Sequence, residues 1–279
     1  MIRLLNANFA RMFKGKLFWI CAAASVLLGL LEIIPNKKGD EFLLIPENYL
    51  FNLSGFFLLI IMSVLVGVFV GAEHGGVLRN KIIVGQKRIT VYFTDLFTCC
   101  VGVLIIHILF VGTLLLTGFL CGGEFRLTAY EIISYELLRL TSLLSMCAFF
   151  TALTMLIPKK FVGAIAALMM IFVFFFISNS IPGRLFEIER KVEGGGGIST
   201  ADIAEKEFLT VLQDTLPFGQ HDQMRTCIHR LISIKECELV GKSHDIEVTY
   251  PIEIAQKSAI AFALTTAVGV LIFRRKDIK

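Results

Sequence analysis

FNLSGFFLLIIMSVLVGVFVGA, residues 51–72, contains no charged residue. A hydrocarbon core ~30 Å thick is crossed by about 20 predominantly apolar residues in a helix. This stretch is long enough, and in lipid its backbone groups must be satisfied within the segment, so it reads as a transmembrane helix. Residues 17–34, 96–121, 132–157 and 161–178 read the same way. A last span, 256–273, has only 258–273 as its apolar part, so it borrows from 252–257, with Lys257 snorkelling outward. The expected fold class is all-α, a polytopic membrane protein with six transmembrane helices in one domain over residues 1–279.

Composition agrees with that reading. Hydrophobic residues make up 56% and charged residues 18%, with mean hydropathy +0.76, more apolar than a soluble core of this length requires. The net charge of +4 is small and the basic residues fall in short clusters, which excludes a nucleic-acid-binding stripe. Residues 17–34 exceed a signal-peptide apolar region, and Ala22, Ala23 and Ala24 sit in the middle, so the run reads as a retained span. Cys21, Cys99, Cys100, Cys121 and Cys147 lie in or beside apolar runs and read as small packing residues. Cys227 and Cys237 share the long loop before the last span, and their pairing is open because geometry decides it.

Orientation follows from the basic residues flanking the spans. Arg3, Arg11, Lys14, Lys16, Arg79, Lys81, Lys87, Arg88, Lys159, Lys160, Arg274, Arg275, Lys276 and Lys279 lie on the side of the termini, against Lys37, Lys38 and Arg126 in the short loops opposite. Both termini are expected to be cytoplasmic, in the cell (plasma) membrane of a bacterium, with residues 179–255 external. In residues 1–16, Ile2, Leu5, Phe9, Met12 and Phe13 recur at helical spacing, which suits an interfacial amphipathic helix. A disordered basic tail is the other reading. Within the external loop, Ser199 and Asp202 stand at capping-box spacing. The runs Phe208, Val211, Leu212, Leu216 and Met224, Cys227, Ile228, Leu231 predict two short helices, followed by an extended piece at 245–250.

Residues 73–95 link the second and third spans on the cytoplasmic side and are longer than a hairpin needs. They open with Glu73-His-Gly-Gly-Val-Leu-Arg-Asn-Lys-Ile-Ile-Val-Gly-Gln-Lys-Arg88. Gly75 and Gly76 permit a sharp exit from the membrane. Val77, Leu78 and Ile82 form an apolar ridge on a short helix flanked by Arg79, Asn80 and Lys81, and Gly85 is a helix stop. Such a helix, held between two spans, suits docking into a soluble partner's groove. An ordinary positive-inside loop is the alternative.

The run from Glu73 to Tyr92 resembles the segment after the second span in ABC-2 type transporter permeases, the membrane subunits of ATP-driven exporters. Members show Glu at the span end, Gly-Thr-Ile/Leu-Arg, then Gly, Ser-Arg and a later Tyr. Here Val77 stands for the Thr and Lys87 for the Ser. The amphipathic start, the six spans, the long loop with Leu216-Pro-Phe-Gly-Gln220 and the Arg274-Arg-Lys-Asp277 tail are similar too. The resemblance implies a permease subunit that docks its ATPase through Gly76, Val77, Leu78, Arg79, Asn80, Lys81, Ile82 and Gly85, with Glu73 and Arg88 holding that helix to the membrane base. It implies an ABC ATPase subunit carrying ATP and Mg, a second permease subunit (homo- or heterodimer), the lipid bilayer and an unspecified exported substrate. No cofactor or metal is expected on this chain. A P-loop is absent: the nearest match, Gly241-Lys-Ser243, has Glu236 where the first glycine is required.

Other polar residues keep two readings each. Glu136 and Arg139, at i,i+3 near the outer end of the fourth span, are an intramembrane functional contact or an anchoring ion pair. His107 in the third span is a relay or substrate contact, or a hydrogen-bonded packing residue. His221, Asp222, Cys227, His229, Cys237 and His244 match no tetrahedral metal spacing. The stripe Ser63, Gly67, Gly71, Gly75 suits a subunit contact or packing within one bundle. A catalytic role is not expected, because an intramembrane protease would want adjacent glutamates, and Glu131 and Glu136 are apart. A non-transporting membrane sensor or immunity protein is the remaining alternative.

Overall fold

Apolar runs and helices coincide along the chain, with shifted boundaries. The computed structural model describes residues 2–33, 45–50, 54–74, 76–157, 159–193, 200–239 and 252–275. In order these form α1 (Ile2–Lys14), α2 (Lys16–Ile33), α3 (Glu47–Leu50), α4 (Ser54–Gly71), a 3-10 turn (Ala72–His74), α5 (Val77–Ile83), α6 (Arg88–Leu120), α7 (Ala129–Leu156), α8 (Lys160–Glu193), α9 (Thr200–Thr215), α10 (Pro217–Leu239) and α11 (Ile252–Arg275). Among the described residues helix is the only regular structure, and α2, α4, α6, α7, α8 and α11 are long and apolar enough to cross a membrane.

Three boundaries move for physical reasons. The third apolar helix starts at Arg88, not at residue 96, because Val91, Tyr92, Asp95, Leu96 and Cys99 keep one helical face buried through the polar lead-in. The 73–95 linker is correspondingly shorter. The fourth starts at Ala129, where Thr128 and Glu131 form a reciprocal capping box. The fifth does not end at 178: α8 continues through Pro182 to Glu193, so helix occupies much of the expected start of the 179–255 loop. In that loop α9 and α10 are longer than the two short helices expected. The Ser199 cap and the 245–250 piece lie outside the described residues. Lys257 of α11 pairs with Asp214 on α9.

α7 packs along α11, α6 along α2, and α4 along α8, while α10 lies across α7, α8 and α3. The core contains Val66 and Val70, Ile106 and Phe110, Met146 and Phe150, and Phe273. Large apolar side chains also face outward, including Trp19, Ile108, Leu137, Phe176 and Leu264, as the lipid-facing wall of a membrane bundle requires. Cys21, Cys99 and Cys147 are buried packing residues and Cys227 is half-buried; the side chain of Cys237 lies outside the described residues.

α1 is a helix rather than a tail. It turns Asn8 and Met12 inward, so one polar residue joins the face that the apolar spacing alone marks. At the small-residue stripe, Gly67 meets α8 of the same chain: a Cβ there would sit 2.8 Å from the Cα of Ala164. Gly67→Val is therefore expected to separate α4 from α8 and destabilise the fold by about 1–3 kcal/mol, read as a lowered thermal unfolding midpoint in detergent.

Candidate functional site

Two glycines cut α5 out of the chain. Gly76 (φ 104°) precedes it and Gly85 (φ 90°) follows it, both in the left-handed region where a side chain is strained. At the far end Gly85 N–H donates to the Ile82 carbonyl at 2.9 Å and Gln86 N–H to the Lys81 carbonyl at 3.1 Å, a Schellman stop. The result is a one-helix bracket between α4 and α6.

Its inner face is fastened by charge. The Lys81 ammonium lies 2.5 Å from Glu73 Oε1, 3.2 Å from Asn8 Oδ1 and 3.3 Å from Asp95 Oδ1, which uses all three of its N–H donors. Asn8 Nδ2 donates to Asp95 Oδ1 at 2.5 Å, and Arg11 Nη2 lies 2.7 Å from Glu73 Oε1 with its guanidinium 4.1 Å above the Phe69 ring. Glu73 and Asp95 are both 0% exposed. Isolated buried carboxylates would be prohibitive, and here two cations and an amide gather on one oxygen of each, while Glu73 Oε2 and Asp95 Oδ2 have no hydrogen-bond partner among the described residues. Four elements meet at this cluster: α1, the turn after α4, α5 and α6. His74 adds a contact, its Nε2 3.0 Å from the Thr154 carbonyl of α7.

The outer face is different. Val77, Arg79, Asn80, Ile83 and Val84 are exposed, Ile83 by 69% and Val84 by 79%. Within the expected docking set the residues therefore divide. Leu78 is buried at 3% and Lys81 is held in the cluster, so both secure α5 to the bundle, and Ile82 packs partly against the core. Arg88 opens α6 and donates to the Arg274 carbonyl of α11 at 3.2 Å, so it ties the C-terminal helix to this end. Tyr92, part of the same motif, packs against Gly269 and Phe273 of α11. Asn8, Arg11 and Asp95 are cluster members that sequence reading did not single out. The available signal was a lone Asp inside an apolar run, opposite an i,i+3 Asn–Arg pair on α1.

A second polar group lies inside the bundle. His107 Nε2 and Arg139 Nη2 each stand 3.1 Å from Glu136 Oε2, and Arg139 Nη2 stands 3.3 Å from His107 Nδ1. With Arg139 donating to Nδ1, the imidazole turns Nε2 toward Glu136 at ion-pair distance. Arg139 also donates to the Leu50 carbonyl of α3 and lies 5.5 Å from the Phe110 ring centre. The i,i+3 pair and the histidine, separate in the sequence, are one buried triad. Nearby, the buried Glu47 accepts the backbone N–H groups of Arg126 and Leu127 at 2.8 and 2.9 Å, which clamps the α6–α7 link onto α3.

Among the described residues no group of three His, Cys, Asp or Glu side chains is placed to hold a metal. His221, Asp222, Cys227 and His229 follow one another along α10, and His244 lies outside the described residues. No protein-family model matches the chain, and no curated protein is detectably similar to it in sequence. The likeness to ABC-2 permeases rests on the residues between Glu73 and Tyr92 and on the order of the apolar runs.

Proposed function

We propose that this chain is the permease subunit of an ATP-binding cassette exporter, with α5 as the helix that docks the ATPase on the cytoplasmic side. The observation that carries the reading is the division of α5 into two faces: one locked by Lys81 and Leu78 to α1, α4 and α6, the other offering Val77, Arg79, Ile83 and Val84. A partner that moved the outer face would move the ends of two spanning helices with it. ATP binding favours the closed pair of ATPase subunits, and the work on the pathway comes from that differential affinity, with no chemistry in this chain. Two permease copies, identical or similar, would enclose the path.

The test uses exposed residues, so that folding is not the readout. The full chain, purified from its native membrane, is expected to bring a P-loop ATPase with it. Ile83→Asp combined with Val84→Asp removes two apolar contacts worth about 1.5–3 kcal/mol each, so recovery of the ATPase and ATP-driven export are expected to fall at least about tenfold. An intact complex in the double variant would overturn the docking assignment. Labelling of a cysteine at position 83 by a membrane-impermeant maleimide added outside intact cells would overturn the orientation. ATPase binding without any ATP-dependent export would leave a sensor or immunity protein in its place.

A further inference from the structure

At the end of the bundle away from α5, a cleft of about 450 Å³ opens between α4, α8 and the α9–α10 pair. That volume lies in the range of small-molecule sites. Its apolar side is a triangle of rings: Phe56 to Phe175 at 4.6 Å, Phe56 to Phe218 at 5.7 Å and Phe175 to Phe218 at 5.6 Å between centroids. Its polar side carries Ser178, Asn179, Gln213, His221, Asp222 and Arg225.

Two features of this lining are not explained by the fold. The Ser178 side chain is 7% exposed, yet its hydroxyl has no hydrogen-bond partner among the described residues. A buried hydroxyl left unsatisfied is costly. Four residues on, Pro182 has no N–H to donate to the Ser178 carbonyl, so the polar demand at this position is doubled. Asp222 and Arg225 lie one helical turn apart on the exposed face of α10, and neither has an ion-pair partner among the described residues. Burial, and then the nearby Arg225, hold the imidazole of His229 below its ordinary value.

The depth of the cleft identifies its occupant. Asn179 lies about 27 Å along α8 from Phe161 at 1.5 Å per residue, close to the thickness of a hydrocarbon core. If the apolar part of α8 from Phe161 to Asn179 crosses the core, the ring triangle lies at acyl-chain depth and the Asp222–Arg225 pair at headgroup depth. A purely anionic head would meet the Asp222 carboxylate, and a purely cationic one the Arg225 guanidinium. We propose that the cleft binds a zwitterionic lipid-like amphiphile, whose chain lies on Phe56, Phe175 and Phe218 and whose head spans Arg225 and Asp222. The phosphate meets Arg225 and the ammonium meets Asp222.

The purified full chain in detergent, with no ATPase present, tests this by polarisation of a fluorescent lysophosphatidylcholine. Saturable binding is expected. Lysophosphatidylglycerol and a monoacylglycerol of the same chain length should each compete at least about tenfold more weakly. Asp222→Asn combined with Arg225→Gln, both exposed, and separately Ser178→Leu, which fills the cleft, should each weaken binding about tenfold. The exposed double variant should keep the wild-type unfolding midpoint, which guards the test if Ser178→Leu fails to fold. Equal competition by all three heads, meaning partition only, would overturn the site, as would unchanged binding in the Asp222/Arg225 variant. Better competition by a zwitterionic apolar tetrapeptide would overturn the lipid assignment. Because no ATPase takes part, failure here leaves the exporter reading standing, and failure of the exporter reading leaves this one.

Discussion

Lys81→Met should release α5 from the bundle. The substitution keeps the length and apolar stem of the side chain but removes the cation that answers Glu73, Asp95 and Asn8 together. Arg11 still faces Glu73, but Asp95, at 0% exposure, loses its nearest cation and keeps the Asn8 amide beside the like-charged Glu73 carboxyl. Breaking one side of a buried ion cluster costs about 3–5 kcal/mol, less whatever protonation of Asp95 relieves. α5 has only seven residues and a left-handed glycine at each end, so it has little intrinsic stability to resist that loss. The expected result is rapid tryptic cleavage after the exposed Arg79, together with a lowered unfolding midpoint. Adding Asp95→Asn removes the stranded charge and should recover most of the midpoint. Wild-type protease resistance in Lys81→Met would mean that Leu78 and the glycine stops hold α5 without the cluster.

Glu136→Leu should be nearly as severe, by the opposite imbalance. Arg139 is 3% exposed and would keep the Leu50 carbonyl and one histidine nitrogen, but lose the Glu136 carboxylate beside it. A buried guanidinium cannot shed its proton as a lysine can, so the charge stays and the fold bears it. The expected loss is again about 3–5 kcal/mol, measured as a shift in thermal unfolding. The triple replacement His107→Leu, Glu136→Leu, Arg139→Met removes every member at similar volume and should return close to wild-type stability, since an apolar core commonly matches a buried ion pair. A stable triple variant that no longer transports would assign the triad to function, and one that transports normally would make it an anchor. A triple variant as unstable as the single one would show that the groups serve α3 through the Leu50 carbonyl rather than each other.

The glycines at 76 and 85 and the charged flanks of 73–88 could be read directly, because each acts on its own few neighbours in the chain. The position of α5 could too, although which side of it faces out could not. Val77 to Ile82 looks like a single docking ridge until Leu78 and Lys81 are found turned inward and Ile83 and Val84 outward. Likewise, Asp95 looks like the end of a linker until Asn8 and Lys81 converge on it.

Sequence by itself determined the class of the molecule: apolar runs of spanning length must become helices, because lipid offers the backbone no other partner. It also determined the two breaks that set α5 apart, since the glycines at 76 and 85 act locally. Only the tertiary structure decided which charges meet. Glu73 with Arg11, Asp95 with Asn8, and His107 with Glu136 are pairs from different helices, and their distances depend on how the helices pack and rotate against one another. Helical periodicity within a single segment carries no information about that rotation, while the high cost of a buried unpaired charge makes it the quantity that settles the arrangement.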